Sequence, residues 1–196
     1  MQGGKVELLF DAGFWVKTLS ISSDLILAGL GNGEIYALSH HGNLLGDWNM
    51  EKEIKIVEIT SYSVTVACKN TLSLFSSDGE LIWERRFKNS VSSMLVISGK
   101  IVLGFNDGSI CIFNEEAEVA LKLARHVDEL AATSGKLIAV TRDFIGAKVH
   151  MLDLDGNVVW TRNIGKSIGS ALLSASLTNI AVGTQNVYLL STGGRF

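Results

Sequence analysis

The side chains that could do chemistry are few, and their spacing works against most of it. Ser92, His126 and Asp128 could serve as a nucleophile, a base and an orienting acid. The chain is rich in serine, however, and Ser92 lacks the sharp strand-to-helix turn that exposes such a nucleophile. Glycosidic cleavage needs two carboxylates roughly 5–9.5 Å apart, and the candidates are Glu53, Glu58, Asp128 and Glu129. His40 and His41 are adjacent, so their side chains diverge along an extended backbone and make a poor metal pair. No spacing of Cys, His and acids matches a metal site, and no cofactor is expected. GLGNGE (29–34) has glycines like a phosphate loop, but the mechanism needs them to open a helix and here they open a strand-like run. Arg85, Arg86 and Lys88 form the one basic cluster, beside Glu84, and read as a solvated outer strand rather than an RNA site.

Composition narrows the classes further. The chain has 196 residues, 47% of them hydrophobic and 19% charged, which describes a packed globule. Its formal net charge of −3 argues against a dedicated nucleic-acid surface. No apolar run approaches the roughly 20 residues that cross a bilayer. The opening MQGGKVELLFDAG has only a short apolar stretch, so no secretory leader is expected. Cys68 and Cys111 lie in apolar runs and read as buried free thiols. A cytoplasmic protein is the expectation.

The elements that must position any site come from a repeat. Runs rich in Val, Ile and Leu, bounded by Gly, Asn, Asp or Ser, fill the chain. EIYALS (34–39), TLSLFS (71–76), SICIFN (109–114), KVHMLDL (148–154) and NVYLLS (186–191) align on Ile35, Leu72, Ile110, Val149 and Val187, in steps of 37, 38, 39 and 38. Two runs precede each anchor and, in four units, one follows it, so a unit is four short antiparallel strands, A to D. Gly42, Gly79 and Gly156 mark the C–D turn, where positive φ suits a tight hairpin. Four strands in about 40 residues is the pattern of a β-propeller blade. DGELIW (78–83) and DGNVVW (155–160) are then the same turn and strand D in blades 2 and 4, with Trp83 and Trp160 separated by 77 residues, two blade lengths.

The expected fold is therefore all-β: a five-bladed propeller in one domain, 1–196, with blades at 14–50, 53–87, 90–125, 126–164 and 166–196. The fifth unit stops after strand C, and KVELLF (5–10) supplies the missing strand from the other end of the chain. Such closure leaves no open sheet edge.

The units LSLFSSDGELIW (72–83) and VHMLDLDGNVVW (149–160) resemble the repeats of quinoprotein-like (PQQ-like) propellers, and more loosely WD40-type blades. The resemblance covers essentially the whole chain and implies the fold. The quinone-dependent enzymes of that family have eight blades, a calcium site and a vicinal cysteine pair. Cys68 and Cys111 are 43 positions apart, so the fold is carried over and the enzyme is not.

Within this architecture the D–A and B–C loops share one face. That face carries charges of both signs, the aromatics Phe14, Trp15 and Phe144, and the longest inserted loop, RDFIGA (142–147). Interfaces favour aromatics and Arg in a mixed polar setting. Phe14, Trp15 and Phe144 are thus candidate anchors for a protein or peptide partner, with Arg125, Arg142 and Lys166 as polar contacts. A plug between first and last blades is the competing role for Trp15. The strand A acids come from two blades only, and strand A is otherwise Ser, Thr and Ala, the small residues a narrow centre fits. A glycoside hydrolase thus ranks below a glycan- or small-ligand-binding propeller, and both rank below a non-catalytic scaffold.

Overall fold

The computed structural model describes residues 8–60, 63–113, 118–123, 126–142, 146–165, 172–184 and 186–193. Sheet 1 comprises β1 (Val16–Ile21), β2 (Ile26–Leu30), β3 (Glu34–Leu38) and β4 (Leu44–Asn49). Sheet 2 comprises β5 (Ile54–Ile59), β6 (Ser63–Cys68), β7 (Thr71–Ser76) and β8 (Leu81–Arg86). Sheet 3 holds β9 (Val91–Ile97), β10 (Lys100–Phe105), β11 (Ser109–Phe113) and β12 (Glu118–Lys122). Sheet 4 holds β13 (Val127–Thr133), β14 (Lys136–Arg142), β15 (Ala147–Leu152) and β16 (Val158–Asn163). Sheet 5 has β17 (Leu172–Ala175), β18 (Asn179–Gly183) and β19 (Val187–Ser191). Every sheet is antiparallel and runs in chain order. The chain is an all-β, five-bladed propeller, and among the described residues no helix is long and apolar enough to cross a membrane.

Contacts divide the chain into two compact units, Met1–Arg86 with sheets 1 and 2, and Phe87–Phe196 with sheets 3 to 5. In the first unit, Leu27, Ile35 and Ala37 of sheet 1 pack on Ile54, Val57, Val64 and Val66 of sheet 2. In the second, Val102, Ile110 and Ile112 of sheet 3 meet Val127, Leu130 and Leu137 of sheet 4. Ile138, Val149 and Met151 of sheet 4 in turn meet Ile180, Val182 and Leu190 of sheet 5. The anchor positions Ile35, Leu72, Ile110 and Val149 are all buried. Each fully buried aliphatic side chain contributes about 1.5–3 kcal/mol.

Close approach of the sheets depends on strand B glycines. A Cβ on Gly29 would fall 2.7 Å from Thr18 Cγ2 and 2.9 Å from Ile54 Cγ2. One on Gly104 would fall 2.5 Å from Val127 Cγ1. The glycines of the GLGNGE stretch therefore serve sheet packing and lead into β3, as a strand-bound loop should.

Strand A carries an irregularity at one place in four sheets. The register shifts between Val16 and Thr18, Ile54 and Ile56, Val91 and Ser93, and Val127 and Glu129. The extra residues are Lys17, Lys55, Ser92 and Asp128. A β-bulge re-aims its extra side chain, and each of these stands where strand A leaves the D–A loop. A second bulge explains the repeated tryptophan phrase. Pairing skips a residue on β4, β8 and β16, at Leu45, Ile82 and Val159. Leu81–Ile82 and Val158–Val159 are thereby left exposed in pairs. Trp83 pairs with Leu74 and Trp160 with Met151, the same place in two sheets.

The closing strand expected at 5–10 falls partly outside the described residues, and Leu8, Leu9 and Phe10 lie outside any strand. Phe10 sets its ring edge-on to Tyr36, with centroids 5.4 Å apart. Leu9 lies against Gly42 of the sheet 1 C–D turn.

Candidate functional site

In the first unit the D–A/B–C face is built on turns. Gly13 takes a positive φ of 66°, and its N–H donates to Asp11 Oδ1. That turn delivers Phe14 and Trp15, whose ring centroids are 6.3 Å apart. The Trp15 carbonyl accepts a hydrogen bond from the Gly31 N–H at 3.1 Å, pinning the D–A loop to the B–C turn. Gly31 also leaves room for Phe14, because a Cβ there would lie 3.3 Å from Phe14 Cε1. Trp15 is 77% exposed and Phe14 half-exposed, although both are large and apolar. Lys17, which lies with Phe14 beside Gly31, faces Glu53 at 3.5 Å, and elsewhere in this unit Lys52 faces Glu84 at 3.7 Å.

In the second unit the same face is a set of ion pairs. Arg142 grips Asp128 through Nε and Nη2 at 2.9–3.2 Å, and His126 Nε2 lies 3.3 Å from the same carboxylate. The Asp128 side chain is almost wholly buried. Arg142 is thus committed to its neighbour in the fold. Asp107 accepts from Lys122 at 2.5 Å, Asn89 at 2.8 Å and the Ser109 N–H at 3.0 Å. Burial would raise the Asp107 carboxyl, but Lys122 and Ser109 outweigh it and hold it below the usual range. Burial raises the neighbouring Glu129 carboxyl, and the Asp128 charge adds to that.

Of the six residues expected to meet a partner, Phe14 and Trp15 stand together. Arg142 lies in the second unit, clustered with Asp128 and His126, and Arg125, Phe144 and Lys166 lie outside the described residues. The sequence reading missed that the residues beside this face are bulged, which is why Lys17 and Asp128 point where they do.

Of the residues weighed for catalysis, His126 and Asp128 are brought together as described above, and others are engaged within the sheets. Ser92 Oγ donates to the Gly104 carbonyl at 3.1 Å. Glu58 accepts from the Ser20 hydroxyl at 3.3 Å, and burial lifts its carboxyl against that hydrogen bond. His40 Nε2 lies 3.0 Å from the Ser22 carbonyl. His150 is buried between Thr141 and Thr161, with ring nitrogens 2.8 and 2.9 Å from their hydroxyls. Burial, helped by Lys148, pushes its pKa down to about 4. A neutral imidazole therefore ties β14, β15 and β16 together. No group of three His, Cys, Asp or Glu able to hold a metal occurs among the described residues.

The opposite face holds a feature that sequence patterning did not show. A cavity of about 670 Å³ opens between sheets 1 and 2 at their A–B and C–D ends. Trp48, Leu25, Thr60, Asp24, Asp47 and Asp78 line it. The only hint in the sequence was Trp48 on a strand D, beside an acid.

No family model matches the chain, and no curated protein matches it, so the likeness to quinoprotein-like repeats stands on the repeat phrases alone. Many solved structures are similar in fold, among them these two. The computationally designed Ika4 protein is 16% identical with a TM-score of 0.62, covering 82% of this chain and all of its own. Hsv2 of Kluyvelomyces marxianus is 14% identical with a TM-score of 0.72, covering 86% of this chain. This chain spans 56% of the length of that protein. At such identities the likeness speaks for the propeller fold and for nothing finer.

Proposed function

We propose that the protein is a non-catalytic binding scaffold that presents the D–A/B–C face of its sheets to a protein or peptide partner. The observation that carries this reading is Trp15, 77% exposed beside Phe14 on a hydrogen-bonded turn. Large aromatics at the surface dominate binding energetics where they are held rigidly and ringed by polar groups. Lys17 and its partner Glu53 supply polar groups beside Phe14. A scaffold whose loops are tied to sheets loses little conformational entropy on docking. The cytoplasm is the compartment we infer, since Cys68 and Cys111 are buried and not joined in a disulfide, and burial pushes the Cys68 thiol up to about 11.

The test is affinity purification from native extract with the wild-type chain and with a Phe14→Ala/Trp15→Ala chain. Partner recovery is expected to fall sharply while the melting temperature holds, because both side chains are exposed. Equal recovery by the two chains would sink the reading.

One observation favours a second reading, a small polar ligand bound between sheets 1 and 2. The cavity there combines an aromatic wall, Trp48, with acids and hydroxyls, a lining suited to polyhydroxylated ligands. A screen of sugars and polyols by thermal shift separates the two readings. A shift that disappears in Trp48→Ala supports the ligand, and no shift with any compound leaves the scaffold.

A further inference from the structure

Every described residue that lines the cavity between sheets 1 and 2 belongs to the unit Met1–Arg86. Three carboxylates reach it from separate places: Asp24 from the turn between β1 and β2, Asp47 from β4, and Asp78 from the turn between β7 and β8. The described lining contains no Lys, Arg or His. None of the three acids joins an ion pair among the described residues. Like charges gathered in one cleft with low-dielectric walls focus the field there and concentrate a counter-charge from solution.

The form of that counter-charge follows from how the acids are spread. A hard metal ion needs its oxygens gathered around one point, and no group of three His, Cys, Asp or Glu able to hold a metal occurs among the described residues. The positive charge that suits this cavity is therefore distributed along a molecule. Beside the acids the wall is apolar: Trp48, Leu25 and Ile59 are half-buried and pack against the core that joins the two sheets. Trp48 is held further by its seat on Gly79. An indole packs on methylenes and attracts an ammonium group through its ring electrons. At about 670 Å³ the cavity is of the size that takes a small organic ligand.

We propose that this cavity binds a linear polyamine, a chain of ammonium groups joined by short runs of methylenes. The ammonium groups meet Asp24, Asp47 and Asp78, and the methylenes lie on Trp48, Leu25 and Ile59. The proposal rests on the second reading above, a small polar ligand between sheets 1 and 2, and it supplies that ligand's charge. A sugar or polyol would leave three carboxylates without a counter-charge.

Isothermal titration calorimetry of the full chain with spermidine tests it. The expected result is saturable one-to-one binding that weakens as salt rises. A diol of equal chain length, which lacks the charges, should not bind. Asp24→Asn/Asp47→Asn/Asp78→Asn should weaken spermidine about tenfold or more. The fold should hold, because all three side chains are exposed and Asn keeps their shape. Gly46 also lines the cavity, and a Cβ there meets nothing within 4 Å, so Gly46→Lys should place a competing ammonium in the site and weaken spermidine too. Spermidine that binds these variants as tightly as wild type would overturn the proposal. If spermidine fails to bind while a sugar or polyol gives a thermal shift lost in Trp48→Ala, the cavity holds a neutral ligand and the polyamine alone is wrong. If neither binds, the ligand reading of the cavity falls with it.

Discussion

The indole of Trp48, on strand D of sheet 1, lies directly on Gly79 in the C–D turn of sheet 2, leaving no space for a Cβ there. Gly79 also has a φ of 83°. Two independent constraints, one conformational and one steric, thus meet at one glycine. In the second unit Trp160 makes the matching approach, its Nε1–H donating to the Thr192 carbonyl of sheet 5 at 3.1 Å. Gly156 lies against Val119 of sheet 3 in the same way. Strand D of one sheet therefore seats the C–D turn of the next.

Gly79→Ala should cost at least about 2 kcal/mol, combining the left-handed backbone penalty with displacement of the indole. Two controls separate these contributions. Gly99 has a φ of 74° but nothing within 4 Å of an added Cβ, so Gly99→Ala should lose only the backbone share, about 1 kcal/mol. Gly46 has neither constraint, and Gly46→Ala should be close to neutral. Urea denaturation of the three chains checks the order, and equal losses at Gly79 and Gly99 would remove Trp48 from the account.

Gly104→Ala should be destabilising through Val127 alone, because its backbone is not left-handed and Val127 Cγ1 is the nearest obstacle. Overpacking of this kind costs about 1–3 kcal/mol. Adding Val127→Ala should recover part of the loss, giving a coupling of about 0.5 kcal/mol or more in a double-mutant cycle. Strict additivity would show that the two sheets relax apart at this point.

His150 gives a pH signature. Its pKa falls from 6.5 to about 4 on folding, so the unfolded chain takes up the proton first as pH drops. Stability from this group is whole above pH 6.5, declines between 6.5 and 4, and is level below that, a loss of up to about 3 kcal/mol. His150→Gln removes the titration. The stability gap between wild type and variant should therefore narrow as pH falls through this window, while the shifted carboxylates Asp107, Asp153, Glu58 and Glu129 cancel in the comparison. A constant gap in denaturation curves from pH 7 to 4 would mean the imidazole is not sequestered.

The sheets were legible because the anchor residues Ile35, Leu72, Ile110, Val149 and Val187 recur at nearly constant steps, and burial of the anchor side chain in the first four sheets imposes that recurrence. Gly29 and Gly104 were legible for a related reason: a glycine inside an apolar strand has few other uses. The bulges were not legible. A bulge adds one residue to one strand of a pair, and that count appears only once the partner's register is known. The extra residues Lys17, Lys55, Ser92 and Asp128 look like ordinary strand positions in the sequence. The cavity beside Trp48 was hidden too, since Asp24 and Asp78 come from turns in two different sheets and Asp47 from strand β4.

Arg142 is where that blindness matters most for function. A loop arginine read from sequence looks available to a partner, yet here it makes two-pronged contact with the almost wholly buried Asp128. Removing the arginine takes the two-pronged partner from that carboxylate, and breaking a buried pair from one side costs about 3 kcal/mol or more. Arg142→Ala should thus lower the denaturation midpoint markedly, where Trp15→Ala leaves it within about 0.5 kcal/mol of wild type. Asp128→Asn in the Arg142→Ala background should restore part of the stability by discharging the buried group. Partner recovery by the double variant, assayed where it is folded, then reports on recognition alone. If Arg142→Ala is as stable as wild type, the pair is a surface contact of little weight and Arg142 returns to the list of residues free to meet a partner.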